Sequence, residues 1–174
     1  MSDRLAVIVP MKPLTLAKQR LRPALDEAAR VALARRMLEH VLATVQASGV
    51  ADLALLISAD AGVRDLAQAF GFRPLAESTL DAAPVGYNEA VRQAIRWARG
   101  QGATTALVLP ADLPHLAPAD LQRLVALAGT APRTVVIAPN ADDTGTNALL
   151  LRPPDLFAPA FGPDSFRRHL ALAR

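Results

Sequence analysis

Apolar runs of strand length alternate along this 174-residue chain with stretches in which apolar positions recur every three or four residues. The runs at 5–9, 53–58, 73–76, 105–109 and 134–138, with 148–151 close behind, read as strands. Between them, 26–47, 61–70, 86–99 and 118–127 carry the helical period. Strands covered by helices on both sides are buried on both faces, which explains why they read as continuous Val, Leu and Ile rather than as alternation. The order predicts an α/β fold: an open, mainly parallel sheet with right-handed crossovers and ligands beyond the carboxyl ends of the strands. Boundary residues agree. Asp26 precedes a helical stretch, Pro118 and Asp120 open another, and Gly49, Gly71 and Gly129 fall where helices should stop.

Composition narrows the chemistry. Hydrophobic residues make up 52% but aromatics only 4%, so the core is expected to be Ala, Leu and Val. Without cysteine there is no disulfide, thiolate nucleophile or Cys-type zinc site. Apolar runs fall short of the ~20 residues that span a bilayer, and the N-terminus begins a strand rather than a signal peptide, so a cytoplasmic protein without membrane contact is expected. A charge of +3 and a pI near 10.2 invite a nucleic-acid reading. The distribution argues against it, because 16 acidic residues are interspersed with the basic ones and no aromatic stacking platform is visible.

The chain uses arginine almost throughout, yet its two lysines, Lys12 and Lys18, both follow the first strand. Lysine offers a compact charge with three donors, suited to phosphate. The segment from Pro10 to Leu21 has no glycine, so it is not a Walker A loop; a phosphate there would be held by Lys12, Lys18 and Arg20. After the strand at 105–109, Asp112 stands between Pro110 and Pro114, placed to hold Mg²⁺ together with phosphate oxygens. Capping of the helix near Pro118 is the alternative for Asp112. Two further segments, Thr144-Gly145-Thr146-Asn147 and Phe161-Gly162-Pro163-Asp164-Ser165-Phe166, pair a glycine with a hydroxyl, as an anion site or as an ordinary turn and helix cap. Of the histidines, His40 reads as structural, and His115 and His169 as residues at the edge of a site.

The succession Val9-Pro10-Met11-Lys12-Pro13, Ala17-Lys18-Gln19-Arg20-Leu21, Gly86-Tyr87-Asn88-Glu89-Ala90, Leu109-Pro110-Ala111-Asp112-Leu113-Pro114, Gly145-Thr146-Asn147-Ala148 and Phe161-Gly162-Pro163-Asp164-Ser165-Phe166 resembles the 2-phospho-L-lactate or phosphoenolpyruvate guanylyltransferases of coenzyme F-420 biosynthesis. The resemblance covers essentially the whole chain. It implies a three-layer nucleotidyltransferase fold of the GT-A-like, nucleotide-diphospho-sugar transferase kind, acting on GTP and a small phosphorylated three-carbon acid with Mg²⁺. By the same resemblance Thr146, Gly162 and Ser165 would bind the acid, and Asp112 the metal. Lys12, Lys18 and Arg20 would lie on the nucleotide phosphates, with Lys12, Lys18 and Asp112 as the catalytic set and Gly86 and Asn88 near the nucleoside. Family members continue past the helix that ends here at Arg174 with another strand and an acidic metal-binding segment, so the chain reads as a single nucleotidyltransferase domain lacking that segment. A pterin- or sugar-phosphate nucleotidyltransferase and a non-catalytic nucleotide-binding module stand as rival readings. A homodimer is the assembly that base rates favour.

Overall fold

The computed structural model describes residues 3–80, 83–84 and 86–174. Strand β1 (Leu5–Pro10) is buried along its whole length, and β2 (Leu53–Ser58) joins it in parallel after helix α1 (Glu27–Ser48). Helix α2 (Ala61–Ala69) leads to β3 (Arg73–Ala76), parallel to β2. A small antiparallel pair, β4 (Thr79–Leu80) and β5 (Ala83–Pro84), precedes α3 (Tyr87–Gly100). Then come β6 (Thr105–Val108), α4 (Pro118–Ala128), β7 (Thr134–Pro139), β8 (Thr146–Arg152) and α5 (Ser165–Leu172).

The main sheet has the order β3-β2-β1-β6-β8-β7 among the described residues. β6 pairs in parallel with β1, whereas β8 is antiparallel to both β6 and β7. The sheet is therefore mainly parallel, as the sequence pattern predicts, with β8 running against the rest. That reversal matters for the site: β8 begins, rather than ends, at the edge where β1 and β6 end.

Alternate residues of β1 serve the two faces. Leu5, Val7 and Val9 pack with Leu38, Leu42 and Val45 of α1, Val63 of α2 and Leu121 of α4. Ala6 and Ile8 pack with Ala90, Val91 and Ile95 of α3 and with Phe161. Each large side chain buried this way contributes about 1.5–3 kcal/mol. No helix among the described residues is long and apolar enough to cross a membrane.

Two aspartates close the helix starts that frame the first loop. Asp26 Oδ1 accepts from the Ala29 N–H at 2.7 Å and opens α1. Asp60 Oδ1 accepts from the N–H groups of Gly62 and Val63 at the start of α2, while its Oδ2 accepts from the Leu14 N–H at 3.3 Å. One carboxylate thus ties the loop after β1 to a helix N-terminus. Asp60→Ala is expected to lower stability by about 1–2 kcal/mol in urea unfolding. Hydrogen exchange at the Leu14 amide should accelerate in the same variant, and unchanged exchange there would contradict the tie.

Candidate functional site

Segments that leave β1 and β6 and one that enters the adjacent β8 meet at one edge of the sheet. The loop after β1 carries Lys12, Lys18 and Arg20, the loop after β6 carries Asp112, and the turn into β8 delivers Thr146. The loop ahead of α5 adds Gly162, the first residue of α5 adds Ser165, and all seven residues line one cavity of about 820 Å³. That size suits a small-molecule ligand.

In the first wall, Lys18 sits at φ 51°, a left-handed conformation that costs a side-chain-bearing residue on the order of 1 kcal/mol. From there its Nζ lies 2.7 Å from Asp112 Oδ2. The two side chains are 23% and 53% exposed, so the pair is solvated and worth at most about 1 kcal/mol. It keeps cation and carboxylate adjacent while leaving both free to exchange partners. Lys12 and Arg20 form no ion pair among the described residues. Beneath the loop lies Arg30 of α1, buried, with Nη1 donating to the Ala17 carbonyl at 3.3 Å and Nε without a partner among the described residues. Nothing in the residue pattern marks Arg30 as part of the site, although it falls in register with Ala34, Leu38, Val41 and Val45, the buried stripe of α1.

Asp112 does not cap α4. That helix is closed by its own Asp120, whose Oδ2 accepts from the Ala117 N–H at 2.9 Å. The described residues include no group of three or more His, Cys, Asp or Glu able to hold a metal ion. As a donor set, Asp112 fits Mg²⁺ as one protein oxygen in a shell completed by ligand phosphates and water, a mode that this ion favours.

Residues 86–88 enter in a different way from that expected. Gly86 takes φ 91° ahead of α3, and its N–H donates to Glu77 Oε1 at 3.3 Å. Asn88 spends both amide atoms on the backbone of Phe161: Nδ2 donates to the carbonyl at 3.0 Å, and Oδ1 accepts from the N–H at 2.8 Å. It is a strut for the loop ahead of α5, and neither Gly86 nor Asn88 lines the cavity. Tyr87, between them, does. Burial, and then the charge of Asp112, raise the pKa of its hydroxyl far above the ordinary value, so it remains a neutral group.

The opposite wall is built by hydrogen bonds. Asn140 Oδ1 accepts from the N–H groups of Thr144 and Gly145, both at 2.9 Å, so the Gly145 amide is used inside the turn. Thr146 Oγ1 lies 2.9 Å from His169 Nδ1, and His169 Nε2 accepts from the Ala160 N–H at 2.9 Å. Gly162 stands at φ 121°, and a Cβ there would come within 3.3 Å of Arg168 Nη2. Ser165, buried, is the first residue of α5. His40, by contrast, faces the Leu116 carbonyl at 3.0 Å, and His115 is exposed.

The chain matches the family described as guanylyl transferase CofC like over residues 5–174. The chain belongs to that family. As a CofC-like guanylyl transferase it is an enzyme of the nucleotidyltransferase class. It is 42% identical over 166 residues to a phosphoenolpyruvate guanylyltransferase of Conexibacter woesei, covering 95% of this chain and 73% of that protein. It is 32% identical over 171 residues to a 3-phospho-D-glycerate guanylyltransferase of Colwellia psychrerythraea, covering 98% of this chain and 78% of that one. A crystal structure from Desulfovibrio desulfuricans G20, assigned as a nucleotide-diphospho-sugar transferase, superposes with a TM-score of 0.72 at 16% identity over 99% of this chain and 78% of its own. That likeness concerns the fold alone.

In the CofC-like chain His169 has no solvent exposure, and its pKa is pushed down to about 4, by burial first and by the Arg168 charge second. Below the ordinary value of 6.5 the unfolded ring takes up a proton that the folded one refuses until about pH 4. Stability from the neutral ring is therefore complete above about 6.5 and is lost as pH falls toward about 4. Urea unfolding at pH 7 and pH 4.5 should show His169→Gln losing about 2–3 kcal/mol less than the parent across this interval. Equal losses would contradict the assignment.

Proposed function

We propose that this enzyme transfers GMP from GTP to the phosphate of a small phosphorylated three-carbon acid, releasing pyrophosphate, in coenzyme F-420 biosynthesis. The observation that supports this reading is the convergence in one cavity of a cationic wall, Lys12, Lys18 and Arg20, with a separate wall of hydroxyl and glycine positions, Thr146, Gly162 and Ser165. Two anionic ligands held apart by Asp112 suit a reaction between two phosphates. The named relatives act on phosphoenolpyruvate and on 3-phospho-D-glycerate, so the acid is of that class.

The reaction joins an oxygen of the acid's phosphate to the α-phosphorus of GTP. The bond from that phosphorus to the bridging oxygen of the β-phosphate breaks, and pyrophosphate leaves with the electron pair. A phosphomonoester carries close to two negative charges at pH 7, so its oxygen needs no general base. The residues act by positioning and by charge. Lys12, Lys18 and Arg20 hold the triphosphate and neutralise the charge that grows on the leaving group. Thr146 and Ser165 hold the acid's phosphate through their hydroxyls, Ser165 at the N-terminus of α5, where an anion is favoured. Gly162 keeps the approach open where a Cβ would press on Arg168. Arg30 adds an inner cation beneath the lysine loop.

Mg²⁺, when bound through Asp112, supplies charge neutralisation at phosphate oxygens. Asp112 would be the residue that holds the cation, and because its ion pair with Lys18 is solvated, Lys18 can turn to a phosphate at little cost.

Pyrophosphate release, assayed with GTP and in turn phosphoenolpyruvate, 2-phospholactate and 3-phosphoglycerate, tests the reading. Turnover with at least one of these acids is expected, and turnover with none would overturn it. Asp112→Asn should lower turnover about a hundredfold or more while leaving the urea midpoint nearly unchanged, since the carboxylate is exposed. Activity near the parent's at saturating Mg²⁺ would remove Asp112 from the chemistry.

A further inference from the structure

The cavity at the other end of the sheet, about 510 Å³, is lined by charges already paired with each other, Arg152 with Asp3 and Arg99 with Asp155. Arg152 makes further bonds to Thr105 Oγ1 and to the carbonyls of Gly129 and Ala131. The buried His169 is different, because its hydrogen bonds carry direction into the catalytic cavity.

A backbone N–H can only donate. The Ala160 N–H points at His169 Nε2 from 2.9 Å, so that nitrogen is the acceptor and carries no proton. In a neutral ring the proton is then on Nδ1, and Nδ1–H donates to Thr146 Oγ1 at 2.9 Å. Thr146 Oγ1, having accepted, keeps its own hydrogen free to turn elsewhere. Thr146 lines the cavity, and its O–H is the donor left over. The ring cannot rotate out of this arrangement easily. Phe161 meets it edge-on at 4.9 Å between centroids, and Phe157 stacks on it at 6.1 Å. Burial disfavours the charged ring, which would present a second N–H to the Ala160 amide.

We propose that His169 is a positioning residue for the acid substrate: it fixes the polarity of the Thr146 hydroxyl, so that Thr146 donates to the substrate's phosphate instead of accepting. The same ring fixes the spacing between two pieces of that subsite. It bonds the start of β8 on one side and the Ala160 amide, two residues before Gly162, on the other. A phosphate oxygen is an acceptor only, so a hydroxyl presented the other way round would repel it. No atom is transferred to or from His169 in this role. The proposal rests on the reading that Thr146 holds the acid's phosphate.

The test has two arms. In the first, ring ¹⁵N spectra of the ligand-free enzyme at pH 7 should show Nδ1 protonated and Nε2 bare; the opposite tautomer, or an imidazolium, overturns the proposal. In the second, KM for phosphoenolpyruvate and for 3-phosphoglycerate is measured at saturating GTP in Thr146→Val, His169→Gln, His169→Asn and the Thr146→Val/His169→Gln double variant. Thr146→Val and His169→Gln should each raise KM for the acid about tenfold, the scale of one directed hydrogen bond to an anion. KM for GTP should stay within about twofold, because the lysine wall is untouched. His169→Asn, whose amide can place an N–H where Nδ1–H stands, should retain more acid affinity than His169→Gln. The double variant should be no worse than Thr146→Val alone, since one hydroxyl mediates both effects. A tenfold effect in Thr146→Val with none in His169→Gln, or fully additive effects, overturns the positioning role and spares the underlying reading. An unchanged KM in Thr146→Val overturns that reading, and the proposal with it.

Discussion

The burial of β1 and β6 on both faces is the constraint from which the site follows. Leu5 to Val9 and Thr105 to Leu109 are at most 7% exposed, so no charged group can be carried within those stretches. Their charges are displaced into the loops at the carboxyl ends, where Lys12, Lys18, Arg20 and Asp112 collect. β8 is antiparallel to β6 and delivers the start of its strand to the same edge, so a hydroxyl from the far end of the sequence joins the residues that follow β1 and β6. Strand order alone, β1-β6-β8, sets the sequence of chemical functions across the cavity: cations, carboxylate, hydroxyl.

The two walls are held by different means. The lysine wall is fastened by the Met11 N–H on the Ile57 carbonyl, the Asp60 bond to Leu14, the Arg30 bond to Ala17 and a solvated ion pair. The opposite wall is knitted by side-chain hydrogen bonds, with Asn88 on Phe161, Asn140 on its turn, and His169 between Thr146 and Ala160, the Thr146 bond being buried. A triphosphate needs charge more than exact placement, because Coulomb attraction falls slowly with distance. A small acid recognised by a few directed hydrogen bonds needs placement.

Most of the fold is legible in the sequence because its signals are strong. Continuous Val and Leu runs mark the central strands, and Asp26, Pro118, Gly49 and Gly129 mark helix ends; all of these stand where the pattern predicts them. The two-residue strands β4 and β5 are not legible, since four residues cannot show a period. Nor is the direction of β8, because a strand buried on both faces reads alike either way. At the site, the residues that line the cavity can be picked out from residue type and loop position, whereas the bonding of Asn88 and His169 cannot. Asn88 looks like a ligand until its amide is found on Phe161, and a lone histidine in a helix gives no hint of which nitrogen bonds what. Those roles are set by tertiary contacts between residues 73 and 23 positions apart.

On the reading proposed for this enzyme, one cavity holds two anions at two separate walls. Calorimetric titration of Lys12→Gln with GTP, and with phosphoenolpyruvate in the presence of a non-hydrolysable GTP analogue, tests it most directly. GTP affinity should fall about tenfold or more while phosphoenolpyruvate affinity changes by less than about twofold. Equal losses for both ligands, or a loss confined to phosphoenolpyruvate, would contradict it.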